Sequence, residues 1–109
     1  MSWDLFVQDW GNVKSLEELP ENFEPGPIGE RTQIIEQISK AEPTVDFSDP
    51  AWGILQNDQF SIEFNMGEEE NLYSFAMHIR GEGRVSECIE NILKQIKMRA
   101  ISTSTGKFF

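Results

Sequence analysis

The chain has one cysteine, one histidine and nine basic residues in 109. A lone cysteine, Cys88, excludes an internal disulfide. A lone histidine, His78, leaves few ligands for a transition-metal site, which usually combines several imidazole or thiolate groups, so no metal or other cofactor is expected. No run reaches the roughly 18 apolar residues of a membrane span. Met1-Ser2-Trp3-Asp4 has neither the basic start nor the apolar stretch of a signal peptide, so a cytoplasmic protein is expected. The scarcity of bases argues against a nucleic-acid partner, because a backbone binder needs a basic face to release counterions. It argues equally against an anionic membrane surface.

What is abundant is acid. Nineteen Asp and Glu give a formal net charge of −10. Sixteen of them lie in residues 1–70 beside three bases, whereas residues 71–109 hold three acids and six bases. This asymmetry restricts partners more than any motif does. Twelve aromatic residues supply enough apolar mass for a folded core, and the length suits a single domain over 1–109.

The hydropathy pattern predicts the order β-α-β-β-β-α-β. Trp3–Gln8 reads as an inner strand, since Leu5, Phe6 and Val7 place apolar groups on both faces. Gly11 to Gly29 reads as an acidic loop. Ser15-Leu16-Glu17-Glu18 has capping-box spacing, but Pro20 limits any helix to about one turn. Leu16, Leu19, Phe23 and Ile28 are expected to pin this loop over the core edge. Glu30–Ala41 carries a stripe of Ile34, Ile35, Ile38 and Ala41 and reads as a helix, with Glu36 and Lys40 as an i,i+4 pair. Phe47 and Trp52 are expected to anchor the following turn in the core.

A short strand near Trp52–Gln56 comes next. Phe60, Ile62, Phe64 and Met66 alternate with polar residues, as do Tyr73, Phe75, Met77 and Ile79, and the two runs read as a hairpin closed by Gly67–Asn71. Arg84–Met98 reads as a helix with a stripe of Val85, Cys88, Ile89, Ile92, Leu93 and Ile96 and an i,i+4 pair of Glu90 and Lys94. Ala100–Thr105 reads as a last strand. The implied fold is α+β: a two-layer sandwich with a mainly antiparallel sheet and both helices on one face. The other face would be open and polar, with Ser61, Glu63, Asn65, Ser74, His78 and Arg80.

Few residues suggest chemistry. Cys88 falls on a core stripe, where burial would shield it from reaction. His78, Arg80 and Glu63 could form a polar site on the open face, or an ordinary solvated strand pair. Arg84 beside Gly81-Glu82-Gly83 could hold an anion at a helix start, although Glu82 would repel it. Glu68-Glu69-Glu70 lacks the ligand spacing of a calcium loop. Phe108 and Phe109 could pack under the acidic loop or serve as a dimer contact or docking tail.

Several segments together (Ser2-Trp3-Asp4-Leu5-Phe6-Val7-Gln8-Asp9, Asp46-Phe47-Ser48-Asp49-Pro50-Ala51-Trp52-Gly53, Phe60-Ser61-Ile62-Glu63-Phe64-Asn65, Phe75-Ala76-Met77-His78-Ile79-Arg80-Gly81 and Gly106 to Phe109) resemble a family of short bacterial proteins of unknown function. The resemblance runs along nearly the whole chain and implies a bacterial, cytosolic, single-domain protein. It brings no activity, cofactor or catalytic residue.

The expectation is a non-enzymatic binding module for a basic protein, with an immunity-type inhibitor of a basic toxin as an analogy. Its contacts would come from Glu17, Glu18, Glu21, Glu24, Glu68, Glu69 and Glu70. The alternative is a small-ligand binder or enzyme built on Glu63, His78 and Arg80. A homodimer that buries the open face or the Phe108-Phe109 tail is a third arrangement.

Overall fold

A computed structural model of the protein describes residues 2–11 and 13–109. Its main sheet has five strands in the order β3-β4-β6-β1-β7, and every pair is antiparallel. The strands are β1 (Ser2–Gln8), β3 (Trp52–Gln56), β4 (Phe60–Asn65), β6 (Ser74–Gly81) and β7 (Arg99–Ser102). Helices α1 (Arg31–Ala41) and α2 (Val85–Ile96) pack on one face of it. The fold is therefore the expected α+β arrangement, with β1 inside the sheet between β6 and β7.

One residue in two along each strand reaches the core. Leu5 and Val7 of β1, Ile62 and Phe64 of β4, and Met77 and Ile79 of β6 are completely buried beneath Ile38 of α1 and Ile89 and Ile92 of α2. All six stripe residues of α2 are buried, but only Ile34 and Ile38 are fully so in α1. Neither Glu36–Lys40 nor Glu90–Lys94 closes to ion-pair distance. Packing, which removes far more apolar surface than an exposed i,i+4 pair contributes, accounts for both helices.

A two-stranded piece was not expected. β2 (Gly29–Glu30) pairs with β5 (Asn71–Leu72), joining the end of the acidic loop to the β4–β6 connection. Ile28 N–H donates to the Leu72 carbonyl and Arg31 N–H to that of Glu70. This pairing takes Leu72 into the core and leaves Tyr73 outside the strand and 55% exposed, so the predicted alternation begins at Phe75. The loop is anchored by Ile28, with Leu19 and Phe23 half-buried, whereas Leu16 is exposed. Its cap motif closes a single 3-10 turn, Leu16–Glu18.

Both lateral edges of the sheet are covered. Asp46 exchanges two backbone hydrogen bonds with Ile54 on the β3 side. On the β7 side the chain turns back after Thr103, so that Ser102 N–H donates to Lys107 and Phe109 N–H to Ala100. The Phe108-Phe109 tail is thus packed against the sheet.

Two backbone positions lend themselves to test. Lys97 ends α2 in the left-handed region at φ 58°, where a side chain is strained and glycine is favoured. Lys97→Gly should raise stability by about 0.5–1 kcal/mol. Gly81 has φ +100°, and a Cβ there would collide with the Gln59 carbonyl oxygen. Gly81→Ala should cost at least about 2 kcal/mol. Urea denaturation of the two variants should shift the midpoint in opposite directions.

Candidate functional site

Strand register lays out the face that the helices leave uncovered. Residues directly opposite in antiparallel strands share a face. One row across the sheet therefore reads Ile54, Glu63, His78, Asp4, and Asp46 extends it past Ile54 at the edge. The next row reads Trp52, Asn65, Ala76, Phe6, Ile101, Phe108. This face is not simply polar, as the sequence pattern predicts. An aromatic and aliphatic band runs beside a row rich in carboxylates.

The two halves of the face differ. At the β1–β7 end, Trp10 folds back edge-on against Phe6 and Phe108, with centroids 6.5 and 5.8 Å apart. Trp10 and Ile101 are buried there but belong to no part of the main core, so they form a separate small cluster on the opposite side of the sheet. Arg99 locks it. Its guanidinium lies 4.1 Å above the Phe108 ring and donates to the carbonyls of Gly11 (2.8 Å) and Val13 (2.7 Å). Phe109 turns to the other side and stacks on Trp3. At the β3–β4–β6 end no described segment covers the sheet: Ile54 is 43% exposed and Trp52 half-buried. The expected core anchor at Trp52 is thus corrected. Phe47 fills that role against Phe64, lying under Gly53, while Trp52 takes the alternate position and faces outward.

His78 stands at the centre of the open half. Its Nδ1 lies 2.8 Å from Asp4 Oδ1, and its ring stacks on Trp52 at 5.7 Å. Register also sets Glu63 directly opposite it. The neighbour expected from sequence, Glu63, is therefore present, but the bonded partner is Asp4, and Arg80 lies in the following row opposite Ser61 and Ser2. A carboxylate bonded to one ring nitrogen orients an imidazole. His78 and Asp4 are nevertheless 36% and 51% exposed. Arg80 borders one shallow recess with Ser61 and Gln59. A pair so open to water suits contact with a surface better than catalysis.

The seven loop glutamates are all exposed. Glu18 has a structural task, accepting backbone N–H bonds from Lys14 and Ser15. Glu17, Glu21, Glu24, Glu68, Glu69 and Glu70 make no side-chain hydrogen bond or ion pair among the described residues, where the one contact within ion-pair distance is that of His78 with Asp4. Arg31 lies in the crook of the second acidic loop but spends Nη1 on the Gly67 carbonyl at 2.6 Å. The possible anion cradle before α2 is filled from within: Gln59 accepts from Glu82 N–H through its carbonyl and from Arg84 N–H through Oε1.

No group of three or more His, Cys, Asp or Glu among the described residues is arranged to hold a metal ion. No described helix is long and apolar enough to cross a membrane. Cys88 borders a cleft of about 220 Å³ with Glu42, Arg84 and Glu87. Burial pushes its thiol up to about 12, and the adjacent Glu42 carboxylate adds to the effect. Asp46 moves the other way, its carboxylate held below the ordinary value by the hydroxyl and backbone N–H of Ser48. Comparison with protein-family models, curated proteins and solved structures returns no match.

Asp4, Trp52 and Ile54 are among the members of this face that sequence reasoning missed. The available signal was the i,i+2 spacing of Trp52 with Ile54 and of Asp4 with Phe6, which places each pair on one side of its strand.

Two measurements follow from these contacts. Arg99→Ala should lower stability by about 1–2 kcal/mol and accelerate tryptic cleavage after Lys14, with little rescue by Arg99→Lys, which cannot fork to two carbonyls. Limited proteolysis read by mass spectrometry checks this. Cys88 is neutral in both folded and unfolded chains below pH 9; between 9 and about 12 only the unfolded thiol ionises, so its contribution to stability falls as pH rises. The stability of the wild-type protein relative to Cys88→Ala should therefore decline between pH 8 and pH 10.5 in urea denaturation.

Proposed function

We propose that the protein is a non-enzymatic, cytoplasmic bacterial binding module for a basic protein partner. The observation that carries this reading is the set of exposed glutamates on two loops, with no cation of the chain paired to them among the described residues. A folded protein gains little by keeping six such charges unneutralised. Their field would attract and orient a basic surface and raise the association rate. An inhibitor that masks a basic toxin is one concrete form, by analogy with other small acidic proteins. The bacterial and cytoplasmic parts rest on the family resemblance.

The competing reading, a ligand site or enzyme around Glu63, His78 and Arg80, has the Asp4–His78 bond in its favour. The exposure of both partners of that bond weighs against it.

Capture from native lysate at low salt should recover a basic protein. The association rate should fall about tenfold or more between 50 and 500 mM salt, and similarly when the six unpaired glutamates are changed to glutamine. Recovery of no basic protein at low salt would overturn the reading.

A further inference from the structure

The loops can steer a partner, but loop charge alone does not hold one. A lasting contact needs apolar surface that is desolvated at its centre. The described surface offers that on the open half of the sheet. Ile54 and Trp52 stand clear of the satellite cluster that closes the other half. Carboxylates share the row with Ile54: Asp46 and Glu63 lie directly opposite it on either side, and Asp4 lies two strands beyond Glu63 across His78. Strand spacing puts the Glu63 and Asp4 positions about 10 Å apart.

The three kinds of occupant are not equally suited. An added strand is blocked, because both edges are already hydrogen-bonded to the chain's own segments. A second copy would bring one surface of net charge −10 against another and set carboxylates facing carboxylates. A basic polypeptide meets the face with complementary charge. Arg80, at the corner of the patch, is the one Arg or Lys of the open half among the described residues; Arg99 is held by carbonyls in the closed half.

We propose that the open half of the sheet is the docking surface for a basic polypeptide partner, which seats an apolar side chain on Ile54 and Trp52 and places arginine or lysine heads at Glu63 and Asp4. The inference rests on the basic-partner reading and adds where that partner is held. Glu63 and Asp4 then anchor, while the loop glutamates steer from outside. Cation stems lying over Trp52 add aromatic contact to charge.

The test uses the full chain and two synthetic probes: a peptide alternating arginine with leucine, and one of equal charge alternating arginine with serine. Amide NMR at low salt should show shifts concentrated on Trp52, Ile54, Glu63 and His78, and the leucine probe should bind at least fivefold more tightly than the serine probe. Glu63→Gln and Ile54→Ser alter exposed or half-exposed side chains with no bond among the described residues. Each should weaken the leucine probe at least threefold while leaving circular dichroism and melting unchanged; Trp52→Phe, which keeps a ring there, should weaken it less than Ile54→Ser. Shifts confined to the loops at Glu17–Glu24 and Glu68–Glu70 would overturn the docking face and leave the wider reading standing. Shifts nowhere would count against both. Self-association in sedimentation that protects the same four amides would overturn the proposal in favour of a second copy.

Discussion

Everything in this molecule depends on the pairing of β1 with β6. Seven residue pairs, from Ser2 opposite Arg80 to Gln8 opposite Ser74, join segments that lie about seventy residues apart. Without that ladder β7 has no neighbour in the sheet, because it pairs with β1 alone. Leu5 and Val7 would lose their position beneath the helices, and Asp4 would never meet His78. Closing so long a loop costs conformational entropy that the local β3–β4 hairpin does not incur.

The same ladder explains how one small sheet serves two purposes. Antiparallel strands can bury one face and present the other. Here the presented face is itself divided. Trp10, Phe108 and Arg99 close one half with a few aromatic contacts and two hydrogen bonds, while Trp52, Ile54 and the Asp4–His78 pair remain in reach of solvent. Arg99 is the economical element, since one guanidinium ties the start of the acidic loop to the end of the chain.

How much of this was legible in the sequence follows a physical line. Period-2 and period-3.6 patterns in β1, β4 and α2 were clear because each element buries one continuous face, and their buried residues match. Tyr73 was misplaced because the short β2–β5 pairing is made by residues forty positions apart and draws Leu72 inward; no local pattern carries that. Trp52 was misread because β3 has apolar residues on both faces, so hydrophobicity alone does not tell which side is core; Gly53 stacked on Phe47 decides it. Asp4 was missed as the partner of His78 because strand order, unlike strand identity, is not written in periodicity. The acidic loops were visible from composition, but not that six of their seven glutamates go unpaired among the described residues.

The covered edges have a consequence for how the protein would fail. Each cover is short: two hydrogen bonds at Asp46, and three more between the tail and β7. Such segments open at far lower free energy than the sheet unfolds. Loss of the tail would bare β7 as a template for another chain while the core stayed intact. Aggregation would then start from a nearly native molecule, and conditions that weaken the hold of Arg99 on Phe108 would promote it well below the melting temperature.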